Sequence, residues 1–129
     1  MANAVKIIED YLCDKCDELF ASDGIVCDKV FNPEEAVNRA AFITQVLSAS
    51  SDQSGVGEYS AQILENRLKR SECTDDVEKI RKNFIIYGDK LANGLAIYIS
   101  VGYIMMPIKV VVGTQNAYTI SANLNIKVK

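Results

Sequence analysis

The last twelve residues of the chain, YTISANLNIKVK from Tyr118 to Lys129, decide how the rest is read. Tyr118, Ile120, Ala122, Leu124, Ile126 and Val128 are apolar, and Thr119, Ser121, Asn123, Asn125, Lys127 and Lys129 between them are polar. Unbroken alternation of this kind belongs to a β-strand with one buried face. Wound as a helix, the same apolar residues would scatter round the whole circumference. A strand is ordinarily about 5–6 residues long. This one is roughly twice that, about 40 Å at ~3.3 Å per residue. Its length predicts an overhang from a small domain, and with it pairing or packing between subunits. Its apolar face needs a cover, which the preceding sequence must supply.

Working back from it, Gly113-Thr-Gln-Asn116 reads as the hairpin turn that leads into the strand. Tyr103 to Val112 is strand-like, with Pro107 marking an edge position or a bulge, because proline has no N–H for a ladder. Leu95, Ile97, Ile99 and Val101 alternate in a further strand. Thr74 to Leu91 reads as a helix with Val77, Ile80, Phe84, Tyr87 and Leu91 as its buried stripe. Ser71 or Thr74 caps it, Asp75, Asp76 and Glu78 fill its first turn, and Asn93-Gly94 stops it. Glu58 to Leu68 and Ala41 to Leu47 are two more strands, joined by a small-polar, Gly-containing stretch, Ser48 to Gly57, that reads as a flexible loop. Asn32-Pro33-Glu34-Glu35 is a turn or helix start. Gly24 to Phe31 offers a short strand. Asn3 to Phe20 is an amphipathic helix with Val5, Ile8, Leu12, Cys16 and Leu19 on one stripe, ended by Ser22-Asp23-Gly24. This order of elements predicts a single α+β domain spanning residues 1–129: a mostly antiparallel, mixed sheet with two main helices packed on one face.

Composition narrows the function. The chain of 129 residues is 49% hydrophobic and 24% charged, ordinary values for a globular protein. No apolar run is long enough to span a bilayer and the first ten residues already carry acids, so a cytosolic protein without membrane contact is expected. The formal charge of −3 is unevenly spread. Residues 1–36 contain nine acids and three bases, whereas residues 90–129 contain Lys90, Lys109, Lys127 and Lys129 and no acid. Such asymmetry suits head-to-tail association, and equally two solvated faces of opposite sign.

There is no histidine. The chain therefore lacks the commonest general base and metal ligand, and Ser or Cys has no imidazole to activate it. Cys13 and Cys16 form a C-x-x-C, with Cys27 and Cys73 elsewhere. The pair sits mid-helix rather than at a strand-to-helix turn, and has no companion pair, which points to small buried hydrophobes rather than a metal or redox centre. Glu34-Glu35 and Asp75-Asp76 stand where helix starts attract acids. Gly55-Val56-Gly57 lacks the lysine and helix of a phosphate loop. Tyr59, Tyr98, Tyr103 and Tyr118 read as half-buried strand residues. No catalytic residue, metal ligand or cofactor is implied, and the expectation is a non-enzymatic assembly subunit.

Three features of residues 41–129 resemble the tail terminator family of tailed bacteriophages, whose members are often labelled minor capsid proteins. The strand Glu58–Leu68 leads through a short polar, acidic turn into the charged helix. Pro107 precedes a run ending in the Gly113–Asn116 turn. The closing strand, Ile120 to Lys129, ends in valine and a base. The N-terminal helix and the Asn32-Pro33-Glu34 turn also match the family's plan; the Ser48–Gly57 loop and the cysteines do not. The resemblance implies a virion protein at the tail–head junction, assembled in the host cytoplasm. Such proteins form a ring, usually hexameric, that caps the head-proximal end of the tail tube, ends its polymerisation and presents the head-joining surface. The implied partners are copies of itself, the tail-tube protein and a neck or connector protein, with DNA only passing through the channel. On that reading Thr119, Ser121, Asn123, Asn125 and Lys127 would line the channel. The loop residues Ser50, Ser51, Asp52, Gln53, Ser54 and Gly55 would touch tube or neck. A neck or head–tail connector subunit is the neighbouring alternative. A cysteine-based metal or redox protein and a DNA-binding module are the distant ones.

Overall fold

The computed structural model of the protein describes residues 4–20, 27–28, 40–51, 54–112 and 115–129. In chain order the elements are helix α1 (Ala4–Phe20), strands β1 (Cys27–Asp28), β2 (Ala40–Ser51) and β3 (Gly57–Arg67), helix α2 (Arg70–Asn83), and strands β4 (Ile86–Lys90), β5 (Ala96–Val112) and β6 (Gln115–Val128). The strands form one sheet in the order β1-β2-β3-β6-β5-β4. The short β1 runs parallel to β2 and every other pairing is antiparallel. The α+β architecture expected from the pattern, a mostly antiparallel mixed sheet with two helices on one face, is the one observed.

The alternation of β6 sets the core. Ile120, Ala122, Leu124, Ile126 and Val128 are all buried, while Asn123, Asn125 and Lys127 between them are exposed. On β3 the partners in register, Tyr59, Ala61 and Ile63, are buried on the same side, as are Ile97 and Ile99 of β5. Ile8, Leu12, Cys13, Cys16 and Phe20 of α1, and Cys73, Val77 and Ile80 of α2, close over this layer. Fully burying a side chain of this size contributes about 1.5–3 kcal/mol. Helix α1 lies against β1 and β2, and α2 against β3, β6 and β5.

β6 does not overhang the domain as its length suggested. It pairs with β3 from Tyr118 to Val128 and with β5 from Gln115 to Val128, so both of its edges are occupied. The long strand is matched by long neighbours. What extends past β3 is the end of the β5–β6 hairpin, where Val110, Val111 and Val112 pair with Ala117, Asn116 and Gln115 beyond the last β3 pairing, Arg67 with Tyr118.

Three further boundaries differ from expectation. Helix α2 ends at Asn83 rather than near Leu91, with the N–H of Phe84 donating to the carbonyl of Ile80 at 3.0 Å. The chain then turns back as β4, because β5 offers a ladder to pair with. Gly88, at φ +82°, sits at the bulge between Tyr87 and Asp89, a conformation that favours glycine. Tyr87, assigned by helical spacing to the buried stripe, is 86% exposed. The N-cap of α2 is Lys69 without a side-chain bond; Ser71 and Thr74 lie inside the helix, and Thr74 Oγ1 donates to the Arg70 carbonyl at 3.2 Å. The two strands expected across Leu95–Val112 are one strand, broken by bulges at Val101/Tyr103 and Met105/Ile108. Pro107 sits in the second bulge, where no ladder N–H is needed.

Much of the stretch read as a loop from Ser48 is strand. Ser48, Ser50 and Ser51 pair with Tyr59, Glu58 and Gly57. Backbone pairing across a hairpin does not depend on the small polar side chains that suggested flexibility. Of the other segments read from sequence, Ser22–Gly24, Asn32–Glu35 and Gly113–Thr114 lie outside the described residues.

Candidate assembly surface

Both helices cover one face of the sheet, and among the described residues no helix lies on the other face. Its residues stand in rows across three strands: Glu58, Lys127 and Tyr98; Ser60, Asn125 and Ser100; Gln62, Asn123 and Tyr103; Leu64, Ser121 and Met105. The rows follow from the pleat. Every second residue of β6 faces the core, so its polar partners must face outward. A hollow of about 540 Å³ lies over the first two rows.

The five strand positions expected to line a channel do not share one environment. Asn123, Asn125 and Lys127 are exposed, and Thr119 is half-buried. Ser121 is only 5% exposed and accepts a 2.7 Å hydrogen bond from Gln62 Nε2. Ser121 therefore takes part in the sheet's own polar packing rather than facing a lumen. Lys127 Nζ stands 3.8 Å from Glu58 Oε1, with both side chains more than 60% exposed. A pair this exposed is worth about 0–1 kcal/mol, but it sets the lysine's charge against a carboxylate. The Asn125 amide lies over Gly102, where a Cβ would stand 2.8 Å from Nδ2. Lys129 is also exposed on this face, its Nζ 5.3 Å from the centre of the Tyr98 ring, so amides and hydroxyls share the face with two lysines and one carboxylate, and such groups hold water well. They hold a polyanion poorly, because phosphate binding needs several uncompensated bases.

Of the loop residues expected to touch a partner, Ser50 and Ser51 belong to β2, and Asp52 and Gln53 lie outside the described residues. Ser54 is exposed at the tip. Gly55 is buried at φ +96°, its α-carbon facing Ala4 of α1, and its carbonyl accepts a 2.8 Å bond from the Tyr59 hydroxyl. Gly55 is thus part of the turn's framework and has no surface to offer a partner.

Sequence reading missed the polar cluster beneath α2. Arg67 Nε lies 3.0 Å from Glu65 Oε1 and 2.7 Å from Asp76 Oδ2, and a second guanidinium nitrogen reaches Asp76 Oδ1 at 3.1 Å. Its third nitrogen meets Glu72 Oε2 at 3.1 Å. Glu65, Arg67 and Asp76 are all buried. Among the described residues no donor reaches Glu65 Oε2. Burial first, and then the adjacent Asp76 carboxylate, push the Glu65 carboxyl up to about 10, so at neutral pH it carries a proton that it can share with Asp76. The signal was available: Glu65 and Arg67 continue the period-2 series Tyr59, Ala61, Ile63, and Asp76 falls on the helical stripe of Cys73, Val77 and Ile80.

The cysteines Cys13, Cys16 and Cys73 are buried thiols. Cys73 Sγ donates to the Tyr118 carbonyl at 3.5 Å, and burial pushes its thiol up to about 12. Among the described residues no group of three or more His, Cys, Asp or Glu side chains could hold a metal ion. On α1 the Tyr11 hydroxyl donates to Asp89 Oδ2 at 2.7 Å, which holds the Asp89 carboxyl below its usual range.

No protein-family model matches this chain, and no curated protein sequence matches it. No helix among the described residues is long and apolar enough to cross a membrane.

Proposed function

We propose that this protein is a structural, non-enzymatic virion component, a tail terminator. Its copies form a ring, hexameric on the pattern of the family it resembles, at the head-proximal end of the tail tube. The ring ends tube polymerisation and presents the surface that joins the head. The observation that carries this reading is the outward sheet face, a ladder of Ser60, Gln62, Ser100, Asn123 and Asn125 whose two lysines are Lys127, 3.8 Å from Glu58, and Lys129, over the Tyr98 ring. Turned toward a lumen, such a face stays hydrated and lets DNA pass without holding it. The helices then form the outer layer, and the turn bearing Ser54 reaches toward the tube or neck.

The test is polymerisation of purified tail-tube subunit with and without this protein, with tube lengths measured by electron microscopy. The expected result is tubes of finite length bearing a density at one end. Unchanged growth overturns the terminator reading. If growth is unchanged and the protein binds the portal side of filled heads instead, the head–tail connector assignment replaces it.

A further inference from the structure

The turn between β4 and β5 is closed by two backbone bonds. Leu91 N donates to the Leu95 carbonyl at 2.8 Å, and Gly94 N donates to the Leu91 carbonyl at 3.0 Å. Asn93 and Gly94 form the tip of this turn, and both are exposed. The chain has nine asparagines, and Asn93 is the one that a glycine follows; each of the other eight precedes a residue with a Cβ. Gly94 stands at φ +85°, a conformation that favours glycine. A Cβ built on it would meet nothing within 4 Å.

This arrangement exposes the Asn93 amide to the backbone beside it. Once hydroxide has taken the proton of the Gly94 nitrogen, that nitrogen can bond to Asn93 Cγ, and Nδ2 leaves as ammonia with a proton from water. A five-membered succinimide remains. A water molecule then opens the ring. Cleavage of the new N–Cγ bond leaves aspartate; cleavage of the original peptide bond leaves isoaspartate, with the backbone running through the side chain. The balance is one water consumed and one ammonia released.

Three features of the turn favour the reaction. No Cβ on Gly94 crowds the approach of its nitrogen to Cγ. Nothing packs where that Cβ would stand, so the turn can swing as the ring closes. Asn93 Oδ1 already accepts the Leu95 N–H at 3.1 Å, a donor that draws electrons from Cγ and stabilises the charge the oxygen gains as nitrogen adds. The bond that must open first, from Gly94 N–H to Leu91, lies in an exposed turn, where local opening is easiest.

We infer that Asn93 is a site of spontaneous succinimide formation in the folded protein and converts there to aspartate and isoaspartate. Either product adds one negative charge to the turn, and isoaspartate also adds a carbon to its backbone. The chemistry needs only water and is independent of the ring reading above.

The experiment ages the purified full-length protein at 37 °C and follows it by native isoelectric focusing, beside Asn93→Gln. The wild type is expected to gain a band more acidic by one charge, growing faster at pH 9 than at pH 7 because the attacking nitrogen must lose its proton. In Asn93→Gln, an exposed position where a larger ring would have to close, the band should grow at least about tenfold more slowly. Edman sequencing of the tryptic peptide Leu91–Lys109 from the acidic band should stop after Ala92 in the isoaspartate fraction, since that linkage blocks the degradation. An acidic band that grows equally in Asn93→Gln overturns the assignment to Asn93. A wild-type pattern that stays unchanged also overturns it, and a band that then appears only in guanidinium shows that the folded turn protects Asn93.

Discussion

β3 and β6 lie side by side, and their core-facing residues meet in register: Tyr59 with Ile126, Ala61 with Leu124, Ile63 with Ala122, Glu65 with Ile120, Arg67 with Tyr118. The β6 row is apolar along its whole length. The β3 row is apolar only as far as Ile63 and then changes to two charged residue types, yet Glu65 and Arg67 are as buried as their neighbours. Burial thus does not distinguish the two rows; what satisfies them does. Aliphatic side chains need only contact and the exclusion of water. A buried guanidinium needs its hydrogen bonds filled, and Arg67 finds them on Glu65, Asp76 and Glu72. The β3 end of the core therefore depends on the position of α2, from which Asp76 and Glu72 come. The β6 row depends on contact alone.

The comparison can be broken most severely at Arg67. Arg67→Ala leaves Asp76 buried without its cation, and urea denaturation should show a loss of about 3–5 kcal/mol. Leu124→Ala, in the neighbouring apolar row, removes contacts without stranding a charge. It should cost about 2–4 kcal/mol, and unlike Arg67→Ala the loss should not vary with pH.

Glu65→Gln sharpens the distinction. Glu65 is protonated in the folded protein up to about 10, whereas in the unfolded chain it titrates near its ordinary value of 4.5. Between these limits the folded state binds the extra proton, so Glu65's contribution to stability is full below about 4.5 and declines as pH rises toward about 10. A glutamine keeps the shape and the donor without the titration. Thermal melts of Glu65→Gln and wild type should nearly coincide at pH 4, with the variant gaining steadily up to pH 9. Parallel melting curves over that range would show that Glu65 does not hold the proton. The smallest effect belongs to the opposite face: Asn125→Ala, one residue from Leu124, should change stability by less than about 0.5 kcal/mol.

The residues that could be read in advance were those whose environment is written in local spacing. The alternation of Tyr118 to Lys129 identified the buried and open faces of β6, and the spacing of Ile8, Leu12 and Cys16 identified the buried stripe of α1. Pro107 marked its bulge, because a missing N–H is a property of the residue itself. The candidate surface was legible to the same degree: Asn123, Asn125 and Lys127 face outward, whereas Ser121 is taken up by Gln62, a residue on another strand that no local pattern could bring beside it.

By itself, then, the sequence determined which residues of each long element turn inward, because the 2.0 and 3.6 periods are set by the backbone of one element alone. It also determined the separation of acids and bases between the N-terminal helix and the last strands. Only the tertiary structure decided that α2 stops at Asn83 and the chain returns as β4, since the helical spacing continues to Leu91 and it is the β5 ladder that favours a strand. Only the tertiary structure put Glu65, Arg67 and Asp76 together and gave β6 neighbours along its whole length. Each of these depends on pairing between residues far apart in the chain, and such pairing leaves no period in the sequence.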